Sequence, residues 1–150
     1  MRRARLRGAS VVGPLLGLVL AASGCIVAPP PVRIELLNTT ALDVRPNFYS
    51  SSEAATSGEL FLAENLRTDW TSRVFPELRA GETASLELTC ADAAAVGVSG
   101  SIMFDALRVS AVTSPDVLFL LRDAEFGCGQ TVRFTFVNDA GALRVQLSVE

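Results

Sequence analysis

The reactive side chains of this sequence set narrow limits on its chemistry. The chain contains three cysteines, Cys25, Cys90 and Cys128, and no histidine, and all 13 of its basic residues are arginines. No serine therefore has a histidine or lysine partner, which excludes a hydrolase triad, and no lysine can form a Schiff base. A histidine-bound metal is excluded for the same reason. Cysteine chemistry, carboxylate chemistry and binding without catalysis remain.

Paired carboxylates are the catalytic device that this composition leaves open, because two of them can cleave a glycosidic bond. Asp116, Asp123 and Glu125 lie close together in the sequence, but no pattern places them in a cleft. We interpret them as solvated residues at a strand end. Calcium needs only oxygen ligands, yet the segment 138–141 (NDAG) lacks the spacing of a calcium loop and is explained by a hairpin turn. We therefore predict neither a cofactor nor a bound metal.

Cys90 and Cys128 are predicted to form a structural disulfide. Cys90 shares the strand parity of Leu86, and Cys128 shares that of Val132, so both are expected to face the core. A redox-active pair would have Cys-x-x-Cys spacing or a basic neighbour that lowers a thiol pKa, and the sequence shows neither. Two free buried thiols remain the alternative.

The first 24 residues have the pattern of a secretory signal peptide. Residues 1–7 contain four arginines and no acidic residue, and residues 9–22 are 14 residues without a charge. Small residues then precede Cys25, as they do before a signal cleavage site. The apolar stretch barely reaches the ~20 residues that a membrane-spanning helix needs, and glycine and proline interrupt it.

The segment 20–25 (LAASGC) resembles the lipobox of bacterial lipoproteins. In that family the cysteine receives a diacylglyceryl group on its sulfur, so the resemblance implies lipid attachment at Cys25 and a location in the bacterial cell envelope. Several acyl chains suffice for stable anchoring. In Gram-negative lipoproteins, an aspartate directly after the lipidated cysteine resembles a signal for retention in the inner membrane. Ile26 occupies this position here, which favours the outer membrane in a Gram-negative host. Ordinary cleavage near Ala22, which would leave a soluble periplasmic protein, and an uncut anchor helix remain alternatives.

The mature chain would begin with a lipidated cysteine and a proline-rich tether over residues 25–31. Residues 26–31 (IVAPPP) would extend about 20 Å as polyproline helix. Without the signal peptide, nine arginines stand against 16 acidic residues, a net charge of -7. An acidic domain repels nucleic acids and anionic headgroups alike. We therefore predict no nucleic-acid partner, and membrane association through the lipid.

Residues 32–150 are predicted to form one all-β domain, because apolar and polar residues alternate along much of this range. Seven or eight short strands separated by turns favour a small antiparallel β-sandwich, Ig-like in the loose sense. The nearly continuous apolar run 116–122 suggests a central strand, and Gly141 suits a positive φ in the hairpin 138–141. The predicted strands are 32–38, 42–49 (weaker, because of Pro46), 59–63, 84–90, 116–122, 131–137 and 142–150.

Four segments do not follow a simple strand pattern. The stretch 101–112 changes parity, which a bulge near Ala106 would reconcile. The run 92–96 (DAAAV) suggests one helical turn, and 50–58 suggests a flexible loop. The stretch 65–82 is too long for a loop within a compact domain, so we expect an unassigned strand or helical turn there.

Aromatic residues in the irregular segments are candidates for a binding surface. We single out Trp70 and Tyr49, because exposed aromatic side chains contact partner molecules; the alternative is that these rings, with Phe48 and Phe75, close the ends of the core. The pieces VRIELLNTT, FPELRAGETASLELTC and FGCGQTVRFTFV resemble parts of small envelope-anchored lipoproteins of unknown function.

Together these patterns predict a lipid-anchored, non-catalytic envelope lipoprotein with a structural or binding role. Its partner would be an envelope protein or a saccharide. Two alternatives remain open: a small glycan-acting enzyme that uses carboxylates only, and a soluble periplasmic binding module. The pattern does not determine the oligomeric state.

Overall fold

A computed structural model describes residues 27–73, 76–105, 107 and 109–150. Within these ranges eleven strands, one short α-helix and one 3-10 turn are formed. The strands are β1 (Val32–Asn38), β2 (Asp43–Arg45), β3 (Phe48–Ser51), β4 (Leu66–Arg67), β5 (Thr83–Leu88), β6 (Ala95–Ser99), β7 (Ile102–Phe104), β8 (Ala111–Thr113), β9 (Val117–Leu121), β10 (Thr131–Asp139) and β11 (Ala142–Val149). The helix α1 spans Ser57–Leu60, and the 3-10 turn spans Ala63–Asn65.

The strands form three sheets around one main core. Sheet A has the order β11-β10-β1-β5, sheet B the order β2-β7-β8, and sheet C the order β4-β3-β6-β9. The predicted all-β, sandwich-like fold is therefore confirmed, with more strands than expected. One pairing departs from the antiparallel prediction, because β1 and β10 run parallel, with Arg33 opposite Thr131.

Alternation of apolar and polar residues explains why sheet A forms. In β1 the side chains of Val32, Ile34 and Leu36 are fully buried, and in β10 so are those of three further residues, Val132, Phe134 and Phe136. Strand side chains point to alternate faces, so each strand presents one apolar face to the core. Sheet C supplies the opposite wall, since the ring centroids of Phe48 and Phe134 lie 6.0 Å apart.

The turn after β1 is held by a buried asparagine. The Asn38 side-chain amide donates to the carbonyls of Leu42 (2.8 Å), Leu78 (3.1 Å) and Arg79 (2.9 Å). Its Oδ1 accepts from the N–H of Thr40 at 2.9 Å. Asn38 is fully buried, so these bonds satisfy polar groups that water cannot reach.

The predicted hairpin between the last two strands is confirmed. Asn138 Oδ1 accepts from the N–H of Gly141 at 2.8 Å. Gly141 has φ 89° and Ala140 has φ 50°. The expected positive φ at Gly141 is therefore present, and the turn uses the side-chain oxygen of Asn138.

The strand predicted over residues 59–63 is wrong, because Ser57–Leu60 forms α1. Thr56 Oγ1 accepts from the N–H of Glu59, and the Glu59 carboxylate accepts from the N–H of Thr56. This reciprocal capping box satisfies two N–H groups that a helix start otherwise leaves open. The end of β3 and the start of α1 both fall within 50–58, so part of this predicted flexible loop has regular secondary structure.

Three further assignments change. The helical turn predicted for 92–96 is wrong, because Ala95–Ser99 forms β6 inside sheet C. The run 116–122 forms β9, which is an edge strand and not a central one. The stretch 101–112 contains β7 and the first two residues of β8, which pair with each other, while the bulge predicted near Ala106 falls outside the described residues.

The weak segment 42–49 divides at Pro46 into β2 and β3, as the missing N–H of proline favours. The expected missing elements of 65–82 are β4 and an isolated bridge between Leu78 and Val44. Arg73 contacts the Glu82 carboxylate through both terminal nitrogens, at 2.9 and 2.7 Å. Phe75 is not among the described residues.

Candidate binding surface

Three residues of sheet C lie side by side on the face that points away from the main core. Tyr49 of β3 is opposite Gly97 of β6, which is opposite Phe119 of β9. A Cβ atom at Gly97 would lie 2.3 Å from the backbone oxygen of Leu118 and 3.0 Å from Leu60 Cδ2. Glycine at this position therefore lets α1 pack directly on the sheet.

This packing creates a second, small hydrophobic cluster outside the main core. Leu60 is fully buried there against Ala54 and Ala95, and the partly buried members include Phe61 and Phe119. Tyr49 and Phe61 pack edge to face, with ring centroids 5.2 Å apart and ring planes at 86°. The cluster holds α1 in place and leaves parts of its aromatic rings in solvent.

Large apolar side chains that neighbour this cluster, either along the chain or across sheet C, remain exposed. The exposed fractions are 47% for Leu62, 37% for Leu66 and 57% for Val117. Leu66 is opposite Tyr49 in the pairing of β4 with β3, which places it on the same side of sheet C. We name the set of Tyr49, Phe61, Leu62, Leu66, Val117 and Phe119 the outer apolar face.

An acidic cleft borders the outer apolar face. It consists of two adjoining concavities of about 350 Å³ each, which share Ser51, Glu64 and Asn65. The acidic residues that line them are Glu53, Glu59, Glu64 and Asp92. Because Ser51 follows Tyr49 by two residues in β3, both point to the same side of the sheet and the cleft adjoins the face.

The negative charge of the cleft is only partly compensated locally. The N–H of Ala55 is the main cause of a lowered pKa at Glu59, and Thr56 adds to it. Arg67 is the only basic residue among the described lining residues, and it binds Asp69 at 2.8 and 2.5 Å. This contact lowers the pKa of Asp69. The positive charge of Arg67 is directed mainly to Asp69, with a smaller electrostatic contribution to Asp92, and the four lining carboxylates keep the cleft acidic.

The two aromatic residues singled out from the sequence lie in different environments. Tyr49 is partly buried and belongs to the outer apolar face. Trp70 is only 7% exposed and packs in the main core, with its indole N–H donating to the Arg67 carbonyl at 3.1 Å. Trp70 therefore closes the core, which was the alternative interpretation, and contributes no exposed ring.

Each carboxylate considered for glycan cleavage has a local structural contact. Asp116 accepts from the N–H of Val145 at 2.7 Å and pairs with Arg144 at 3.2 Å. Glu125 accepts from the N–H of Leu121 at 2.7 Å, while Asp123 pairs with an adjacent arginine.

Among the described residues, no group of three His, Cys, Asp or Glu side chains is arranged to hold a metal ion.

The predicted disulfide is present between Cys90 and Cys128, with Cα atoms 5.4 Å apart. Arg122 donates through Nη1 to the Cys90 carbonyl, and the same nitrogen lies 3.8 Å from the Cys90 sulfur. The sequence did not reveal this basic neighbour. The predicted lipid-attachment residue, Cys25, lies outside the described residues.

No protein-family model matches the chain, and no curated protein shows significant similarity to it. In the part of the chain that the structure describes, no helix is long and apolar enough to cross a membrane.

Sequence reasoning missed most of the outer apolar face, including Phe61, Leu66 and Phe119. One signal was present, because Gly97 stands alone between two valines, and an isolated glycine in a strand marks a close approach of another segment. Its partner, α1, lies where the pattern predicts a flexible loop (50–58) and a strand (59–63), so the signal does not point to a helix.

Proposed function

We propose that this chain is a lipid-anchored, non-catalytic protein of the bacterial cell envelope that binds a partner protein through the outer apolar face. The observation that carries the binding role is the exposure of Leu62, Leu66 and Val117 beside aromatic rings that are only partly buried. Clustered exposed apolar side chains with a polar border are typical of an interaction site.

The chemistry of the surroundings favours a partner that is both apolar and basic. The acidic cleft lies along one border of the face and has Glu53 and Glu64 among its lining residues. Opposite charge on the partner would match this cleft and steer the encounter. A saccharide fits less well, because a sugar stacks on a flat ring face, and the edge-to-face contact of Tyr49 with Phe61 already occupies one such face.

The absence of a catalytic role is supported by the environment of the carboxylates. A carboxyl group that acts as a general acid near neutral pH needs a raised pKa. Hydrogen bonds instead lower the pKa of Glu59, Asp69, Glu82 and Asp105. Of the carboxylates considered for glycan cleavage, Asp116 and Glu125 each accept a main-chain N–H, a structural contact that favours a binding domain over the carboxylate-only glycan enzyme.

The lipid anchor is supported by the lipobox-like segment before Cys25 and by the position of the residues that follow it. Val27 is 85% exposed, as expected for a tether outside the domain, and a Cβ at Gly129 would lie only 2.9 Å from Pro30 Cγ. The tether thus approaches the domain next to Cys128 and its disulfide.

Intact mass measurement of the protein extracted from host membranes tests the anchor. We expect the mass of residues 25–150 with acyl groups, and we expect Cys25→Ala to abolish both acylation and membrane retention. An unacylated chain in the soluble fraction would contradict the anchor and would leave the binding role to be judged separately.

A photo-crosslinking amino acid at Leu66 tests the binding surface in cells that produce the full chain. We expect one discrete crosslinked partner, reduced by the charge reversal Glu64→Lys and by added salt, since exposed charges are screened. Leu147 of β11, which is 40% exposed, provides the matched control position. Equal crosslinking at Leu66 and Leu147 would refute the proposed surface.

A further inference from the structure

Strand β9 forms one edge of sheet C, so half of its main-chain groups have no partner within the sheet. The N–H of Arg122 donates to the carbonyl of Ala94 at 2.9 Å. Because hydrogen-bonded pairs alternate along antiparallel strands, Leu118 and Leu120 bond to β6. The N–H and C=O groups of the odd-numbered residues of β9 therefore point away from the sheet.

Main-chain pairing along this edge is limited at both ends of β9. At one end the N–H of Leu121 donates to Glu125 Oε2 at 2.7 Å, and the carbonyl of Leu121 accepts from the N–H of Glu125 at 2.9 Å. At the other end Pro115 has no N–H to offer. With respect to the residues that the structure describes, the open part of the edge is limited to Val117 and Phe119, with two N–H and two C=O groups.

The open edge lacks the usual protection against pairing with another strand. Natural edge strands carry charges, prolines or bulges that block such pairing, whereas β9 reads VLFLL and its first residue is 57% exposed. Strand β11, which ends sheet A, differs. It contains Arg144, and the N–H of Val145 is already bonded to Asp116.

We propose that β9 pairs antiparallel with β9 of a second copy of this chain, about a two-fold axis at Leu118. In this register Val117 lies opposite Phe119 of the second copy, and the reverse pair follows by symmetry. All four open groups of each copy then find partners in four main-chain hydrogen bonds. The pairing requires neither the lipid anchor nor the proposed partner protein, although Val117 and Phe119 also belong to the outer apolar face.

The ends of the open edge explain why a second copy fits and why the axis lies at Leu118. In that register Pro115 faces Leu121 of the other copy, so the residue without an N–H meets the residue whose groups are already bonded. An axis at Phe119 would instead place Val117 opposite Leu121 and leave groups unpaired. On the side of the outer apolar face, each Val117 would contact a Phe119 ring, which adds an apolar cross-strand pair.

Engineered cysteines test the register in cells that produce the full chain. Directly opposed residues of this kind have Cα atoms about 5.5 Å apart, within the ~4.4–6.8 Å range of disulfides, whereas diagonal neighbours are about 7–8 Å apart. We expect a Val117→Cys chain to crosslink to a Phe119→Cys chain several-fold more than either chain crosslinks to itself. The wild-type chain controls for the native cysteines. Equal homotypic and heterotypic crosslinking, or none, would overturn the proposal.

Val117→Pro provides a second test that leaves the pairing with β6 intact, because the N–H of Val117 points away from β6. It removes two of the four hydrogen bonds across the axis, so we expect the association constant of the detergent-extracted full chain to fall roughly 10- to 100-fold. Light scattering across a dilution series measures this. Unchanged association of Val117→Pro would refute the pairing.

Two controls separate this proposal from the proposed function. Leu62→Lys lies on the outer apolar face but outside β9, so it should reduce crosslinking to the partner protein and leave self-association unchanged. Added salt should affect the two complexes in opposite directions. The chain after residue 24 has a net charge of -7, so two copies repel each other. Salt screens this repulsion and should strengthen self-association. The charge-matched partner complex weakens with salt. Self-association that weakens with salt would count against β9 pairing.

Discussion

Removal of the Cys90–Cys128 disulfide should cost a large part of the stability of the domain. Cys90 is 4% exposed and follows β5, and Cys128 precedes β10. Both of these strands pair with β1 in sheet A. The disulfide therefore connects the two strands that flank β1, and the intervening chain carries β6 to β9, including half of sheet C.

The size of the effect follows from the sequence separation of 38 residues. On the loop-entropy relation, a crosslink that closes a loop of this length stabilises the folded state by about 4 kcal/mol at 25 °C. Domains of this kind unfold with a free energy of about 5–15 kcal/mol. We therefore expect the double variant Cys90→Ala/Cys128→Ala to fold marginally, with a strongly reduced urea midpoint.

Urea unfolding of a chain that begins at Val27 measures the effect, with circular dichroism as the signal. Reduced wild-type protein is the essential comparison, because it lacks the crosslink but keeps both sulfur atoms and so separates the crosslink from the small loss of packing. A difference between oxidised and reduced protein below about 1 kcal/mol would refute the loop-entropy argument. Thiols that react before reduction would instead contradict the disulfide itself.

Three further predictions concern particular contacts. Gly97→Ala should lower the free energy of unfolding by about 1–3 kcal/mol, because its Cβ would lie 2.3 Å from a carbonyl oxygen of β9; the control Gly58→Ala in α1, where nothing lies within 4 Å, should not destabilise. Asn38→Asp should lower the free energy of unfolding by about 2–3 kcal/mol, measured in urea. A carboxylate oxygen, which only accepts, then replaces the amide NH2 group that donates to three carbonyls; an unchanged urea midpoint would contradict this. Arg73 lowers the pKa of Glu82 below the ordinary glutamate value of 4.5, so the contact stabilises the folded state above that pH, and this stabilisation is lost as the pH falls through the lower folded value. An acid titration of Glu82→Gln should show a smaller loss than wild type, and an identical profile would refute the assignment.

The strands of sheet A could be predicted from the sequence because their signal is local. In β1, β10 and β11, apolar residues alternate with polar ones, and the segment 138–141 supplies the turn chemistry of the hairpin. The disulfide followed from the number of cysteines and from the strand parity of Cys90 and Cys128. Such features depend on near neighbours in the chain, so a single sequence contains them.

The features that were mispredicted depend on contacts between distant segments. The segment 59–63 is as apolar as a strand, and only the capping box of Thr56 with Glu59 and the packing of Leu60 make its first part helical. The run 92–96 is rich in alanine, a strong helix former, but β3 and β9 on either side convert its end into β6. Tertiary pairing overrides local propensity at these places.

The outer apolar face illustrates the same limit for function. Tyr49, Gly97 and Phe119 come from three strands that are far apart in sequence, and the pairing of β3, β6 and β9 alone places them in one row. A residue-by-residue search for exposed aromatics selects Trp70, whose ring the core encloses, and passes over Phe119 because its run VLFLL resembles a buried strand. What makes β9 distinctive is its position at the edge of sheet C. The same five residues would be ordinary core in a central strand, whereas at an edge they present both an apolar surface and unpaired main-chain groups to another protein.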